Sequence, residues 1–204
     1  MGLPLDVKAL QTADRLVFVP VCWVLDKIRR LTEFPRPRGT PVIRSILFVK
    51  LAEQGSSVLA RDAIDRAVRR VGREKVYFLV FEENRFILDV MNLVPPENIL
   101  TVPTDSTLGM MMGALRALGR LRRMRLDAAV DLEFFARFSA AITYLSGARW
   151  RAGVHAYFAE GPYRGDLMTH RVLYNPHLHT SMMFSGGTRF MRSRMNRFSS
   201  KTRK

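Results

Sequence analysis

Ile46-Leu-Phe-Val-Lys-Leu-Ala-Glu-Gln-Gly-Ser-Ser-Val-Leu-Ala60 decides the fold of this chain. Four consecutive apolar residues, Ile46 to Val49, read as a strand buried on both faces. A short loop with one glycine, Gly55, and two serines follows, and an amphipathic helix begins directly after it. A strand that runs through a short loop into a helix is the opening unit of a doubly wound α/β domain. Ligands of such domains bind beyond the carboxyl ends of the strands, where this loop lies.

Downstream the same alternation continues. Lys75–Phe81, Ile99–Val102, Leu126–Leu132 and Arg149–Val154 read as strands. Helices are expected over Ser57–Val71, Asn84–Met91, Leu108–Arg123 and Phe134–Leu145. Strands separated by helices imply βαβ units and a Rossmann-like parallel sheet with flanking helices. This domain is expected over residues 41–184. Residues 1–40 read as an amphipathic helix, interrupted at Pro20, and a proline-rich linker.

Charge is spread unevenly. The net +15 divides into +3 for residues 1–40, +5 for residues 41–180 and +7 for residues 181–204. The middle is therefore only mildly basic, and a general nucleic-acid role would mistake a tail for a domain. Sequence-specific RNA recognition also needs aromatic platforms on an open sheet face, whereas these strands read as buried. The stretch 185–204 has no acidic residue and little periodicity, and reads as a disordered basic tail. It suits contact with anionic lipid or RNA, or an end produced by out-of-frame translation.

A single cysteine, Cys22, excludes an internal disulfide and fits a reducing, cytoplasmic setting. The N-terminus shows no secretory pattern. The apolar run Leu16–Leu25 is ten residues long, against the roughly 20 needed to span a bilayer. Trp23 within it, followed by Lys27, Arg29 and Arg30, suits a helix lying in a membrane interface. Packing on its own domain is the other reading. His155, His170, His177 and His179 lack the companions of a metal site, so no metal is expected. There is no Gly-x-Gly-x-x-Gly after the first strand, no Walker A loop and no Gly-x-Ser-x-Gly elbow.

Residues 43–180 resemble the N-terminal half of glycosyltransferase family 9, the ADP-heptose:lipopolysaccharide heptosyltransferases. Four stretches carry the likeness: Ile46–Ala60, Leu126-Asp-Ala-Ala-Val-Asp-Leu132, Arg137-Phe-Ser139 with Leu145–Gly153, and Thr169–Asn175 with His179. The resemblance implies a GT-B enzyme, built from two Rossmann-like domains facing a cleft. The first meets the acceptor and the second binds the nucleotide sugar, and the anomeric centre inverts without a covalent intermediate. No cofactor is implied beyond an ADP-heptose-like donor. The expected acceptor is a glycolipid or oligosaccharide of the lipopolysaccharide type, at the cytoplasmic face of the membrane.

Two departures bear on catalysis. The family's loop reads Gly-Asp, with the Asp as general base, and Ser56 stands in that place here. A serine hydroxyl cannot accept the proton without a base of its own. Glu53 is the nearest carboxylate that can replace it; otherwise it is a solvated loop charge. The chain also stops where the second domain would begin, so in isolation it is expected to be a truncated, inactive transferase. A non-catalytic Rossmann-like module binding glycolipid, membrane or a partner enzyme is the alternative.

The remaining candidates cluster near the strand ends. Gly55, Ser56 and Ser57 either contact the acceptor or form the turn and cap the next helix. Lys50 either attracts an acceptor phosphate or carboxylate or ends its strand in water. Asp131 and Glu133 either bind the acceptor or are strand-end charges or partners of Arg137. Arg137 either clamps an anionic group or packs against Asp131.

Overall fold

In a computed structural model, Ile46–Val49 forms β1, every residue of it buried. The structure describes residues 7–33, 42–51, 58–134, 136–155, 163–173, 177 and 180–187. From the N-terminus the elements are α1 (Val7–Thr32), β1, α2 (Arg61–Val71), β2 (Val76–Phe81), α3 (Arg85–Met91) and β3 (Ile99–Val102). Then come α4 (Thr107–Met124), β4 (Ala128–Asp131), α5 (Arg137–Leu145), β5 (Trp150–His155), β6 (His170–Leu173) and α6 (Thr180–Gly187).

The six strands form one sheet in the order β3-β2-β1-β4-β5-β6, and all five pairings are parallel. The order reverses between β1 and β4, where Val49 lies opposite Asp131. A parallel sheet buried on both faces needs near-continuous apolar strands, which is what Ile46–Val49 and Val76–Phe81 supply. Successive side chains point to opposite faces. Ile46, Phe48, Phe78, Val80 and Val130 pack with Ala63, Ile64 and Ala67 of α2, Leu88 of α3 and Phe184 of α6. Leu47, Val49, Leu79, Leu100 and Ala129 face Ala114, Ala117 and Leu121 of α4 and Ile142 of α5.

The doubly wound α/β class expected from the sequence is the one observed. Three details differ. β6 and α6 were not expected as elements. Ser185–Gly187, placed by sequence in a disordered tail, complete α6, and residues 188–204 lie outside the described residues. Finally, α1 continues through Pro20. A proline inside a helix removes one hydrogen bond and costs about 3 kcal/mol. Here Pro20 points outward, while Phe18, Val21, Cys22 and Leu25 on the inner face pack on Ala140, Ala141, Leu167 and Met168 and hold both halves in line.

Polar contacts fix α1 at three points. Asp14 reaches the start of α5, Arg29 donates to Asp166 at 2.9 Å, and Arg151 of β5 pairs with Glu33. Gly165 (φ +66°) lets the 163–168 segment close on the helix, since a Cβ there would sit 2.9 Å from the Cys22 carbonyl oxygen.

Candidate functional site

The carboxyl ends of β1 and β4 meet at the reversal of strand order, which is where open α/β sheets place their ligands. Two layers of buried charge lie there. In the first, Lys50 Nζ is 3.0 Å from Glu133 Oε1, and the same oxygen accepts the Leu51 N–H at 2.9 Å. On the other side Asn84 Nδ2 donates to the Leu51 carbonyl at 2.9 Å, and Phe81 N–H does so at 3.2 Å. The chain leaving β1 is thus held from both flanking strands before it enters 52–57. Lys50 is 1% exposed, so it does not end its strand in water.

In the second layer Asp131 and Arg164 pair, both buried. Asp131 Oδ1 accepts the Glu133 N–H at 3.0 Å, and Oδ2 accepts Ser139 Oγ–H at 3.1 Å as well as Arg164 Nη2. Arg164 Nη2 also donates to Ser139 Oγ at 3.1 Å, and its remaining donors go to carbonyl oxygens: Nε to Ala136, and Nη1 to Glu133, Phe134 and Val154, all at 2.9–3.1 Å. Its guanidinium therefore clamps the loop after β4. Gly153 opposite leaves room, because a Cβ there would come within 3.0 Å of Asp131 Cβ. Burial pushes the Asp131 carboxyl up to about 6, against the opposing pull of Arg164. It remains ionised at neutral pH. With every oxygen already accepting a donor, it is a structural anion and not an open proton acceptor.

Arg137 is not the partner of Asp131 that the sequence suggested. It bonds Asp14: Nη1 donates to Oδ2 at 2.9 Å, while the Arg137 and Phe138 N–H groups donate to Oδ1 at 3.0 Å each. Asp14, from α1, thereby caps the N-terminus of α5 in place of its own preceding residue, Ala136, which has no side chain to do so. Arg137 Nε donates to the Tyr163 carbonyl at 2.9 Å. Its Nε and Nη1 are thus engaged within the fold.

Of the eight sites read from sequence, Lys50, Asp131 and Glu133 come together at the switch point. Arg137 lies at the head of the neighbouring helix. Glu53, Gly55, Ser56 and Ser57 lie outside the described residues, as does any cap that Ser56 or Ser57 gives the next helix. Arg164 and Asp14 were missed. Arg164 sits in a segment with no periodicity, and Asp14 lies 123 residues from its partner. Ser139, the third member of the Asp131 cluster, had been noticed only as part of the Arg137-Phe-Ser139 motif. Among the described residues there is no group of His, Cys, Asp or Glu that could hold a metal ion.

The sheet order defines a Rossmann-like domain whose strand order reverses between β1 and β4. Solved structures of glycosyltransferases share this fold. The E. coli heptosyltransferase WaaC bound to ADP superposes with a TM-score of 0.56 at 17% identity, covering 70% of this chain and 45% of that one. The same enzyme with ADP-2-deoxy-2-fluoro heptose gives 0.56 at 16% identity, over 70% and 46%. A family 9 glycosyl transferase from Veillonella parvula DSM 2008 gives 0.60 at 10% identity, over 75% and 43%. The chain thus has a heptosyltransferase-like α/β fold and spans less than half the length of the structures it matches. No family model matches its sequence, and no curated protein does.

Proposed function

We propose that this chain supplies the acceptor-side domain of an inverting glycosyltransferase, one that moves a heptose-like sugar from a nucleotide donor to an anionic, lipopolysaccharide-type glycolipid. The observation that carries the reading is the switch point. There the buried Lys50–Glu133 pair sets the exit of the chain from β1, in a fold shared with nucleotide-sugar enzymes. In this reading the 52–57 loop meets the acceptor and Glu53 takes the hydroxyl proton. Lys50, Glu133, Asp131 and Arg164 fix the ends of β1 and β4 that border that loop. The acceptor is membrane-held, which places the working protein at the cytoplasmic face. Donor nucleotide binding is assigned to no residue of this chain.

The test is saturation-transfer NMR with a deacylated inner-core oligosaccharide that carries acidic sugars, compared with a neutral oligosaccharide. The acidic sugar is expected to bind and the neutral one not. Glu133→Gln removes the counter-charge of buried Lys50 at the exit from β1 and is expected to weaken binding roughly tenfold, the effect of about 1.4 kcal/mol. Failure of the acidic sugar to bind would overturn the reading. Binding without transfer when the ADP-sugar is added, in a form of the protein able to hold that donor, would favour the non-catalytic module, as Ser56 at the family's Asp position does. If transfer occurs, Glu53→Gln should abolish it and leave acceptor binding intact.

A further inference from the structure

Helix α1 presents an outer face that inverts the usual arrangement. Leu16, Trp23 and Leu31 are 70%, 55% and 85% exposed, and Val17, Val24 and Ile28 are exposed beside them. At 3.6 residues per turn these positions, with Pro20 and Lys27, fill one arc of about 140° along roughly 23 Å of helix. A monomer rarely leaves so continuous an apolar stripe in water.

The charges on α1 divide by sign. Both acidic residues in its described part turn inward: Asp14 caps α5, and Asp26 is buried against Arg29 and Arg30. Arg29 is buried too, spent on Asp166. What remains outside is cationic: Arg15, Lys27 and Arg30 are exposed. Lys27 Nζ lies 5.3 Å over the Trp23 ring, inside the apolar stripe. The surface on offer is thus apolar and positive, with no acid in it.

We propose that the outer face of α1 docks in the headgroup region of an anionic bilayer. Leu16, Trp23 and Leu31 enter the acyl boundary, and Lys27, Arg15 and Arg30 meet lipid phosphates. The charge pattern selects this occupant. A second copy of the face would bring Lys27 and its neighbours against like charges. The helix lies on the membrane and does not cross it, since no helix among the described residues is long and apolar enough to do so. Docking of α1 on α5 turns Asp14 away from this face, while Asp26 is taken up by Arg29 and Arg30 of the helix itself. The inference stands apart from the sugar-transfer reading, and vesicle binding and oligosaccharide binding are separate measurements.

The test uses the full chain with vesicles of phosphatidylcholine alone, or with about a third phosphatidylglycerol. The protein is expected to float with the anionic vesicles only. Trp23 emission should shift to the blue and be quenched by lipids brominated on their acyl chains. The other tryptophan, Trp150, is buried, so Trp23→Phe should remove the shift. Leu16→Ser with Leu31→Ser should lower vesicle partitioning at least roughly tenfold, and Arg15→Glu with Lys27→Glu should abolish the preference for anionic lipid. Unchanged thermal melts show that these variants fold. Absence of flotation overturns the proposal. So does flotation with unshifted Trp23 emission, which assigns binding to the basic stretch 188–204 or to the exposed Leu108, Met111 and Leu115 of α4. So does a dimer in lipid-free solution that protects Trp23.

Discussion

The switch point and helix α1 depart from the rule of apolar inside and charged outside in opposite directions. Between β1 and β4 the protein buries two ion pairs, Lys50–Glu133 and Asp131–Arg164, in the middle of an apolar sheet. Along α1 it leaves leucine, valine and tryptophan in water while drawing its carboxylates inward. Each departure has its own physics. A buried ion pair rarely raises stability above that of an apolar replacement, yet breaking one is costly. Its use is to fix geometry, and here it fixes the exit of β1 and the residues after β4. An exposed apolar face gains nothing for the isolated fold, so its use is external.

The contrast can be broken most forcefully at Asp131. Asp131→Asn leaves the buried Arg164 guanidinium without a counter-charge and should cost about 3–5 kcal/mol in urea unfolding. Adding Arg164→Met should recover much of that loss, and a double-mutant cycle measures the coupling. If Asp131→Asn proves nearly neutral, the pair is not what clamps the loop after β4.

A second test addresses the inner face of α1. Burial pushes the Cys22 thiol up from 9.0 to about 11, so the folded state favours the neutral form. The associated stability is fully present below pH 9 and is lost as pH rises toward 11, by about 2–3 kcal/mol. Cys22→Ala should flatten that part of the pH–stability curve. In the native protein the thiol should resist disulfide reagents at pH 8, and react only as fast as the chain unfolds. Rapid labelling would show that α1 does not stay docked.

Asp14→Ala removes the cap of α5 and should cost about 1–2 kcal/mol. Because the same carboxylate ties α1 to α5, proteolysis within α1 should accelerate in parallel. The smallest effect is expected on the outer face. Leu16→Ser should change stability by no more than about 0.5 kcal/mol, since Leu16 packs on little within the fold. A larger loss would mean that this face is covered by the protein itself.

How much of this was legible beforehand follows from the range of each interaction. β1, β2 and β4 stand out because a strand buried on both faces must be an unbroken apolar run, and few other structures demand one. Strand–helix alternation implied a parallel sheet, but the order of its strands came only from the tertiary structure. Lys50, Asp131 and Glu133 were legible as strand-end residues, because the carboxyl ends of such strands converge. Their roles were not. Reading Arg137 as the partner of Asp131 assumed that neighbours in sequence pair; instead α5 turns Arg137 toward α1 and leaves Asp131 to Arg164, 33 residues on. β6 was missed because His170–Leu173 has only four residues and carries no flanking helix signal.

The sequence by itself determined the class of fold and the amphipathic character of the first helix, since these depend on composition and local periodicity. The tertiary structure alone decided which charge neutralises which, because partners 33 and 123 residues apart meet only when the sheet closes. It also decided which face of α1 looks outward: both faces carry apolar residues, and only packing on α5, with Asp14 and Asp26 drawn in, separates a buried face from one that is apolar and cationic.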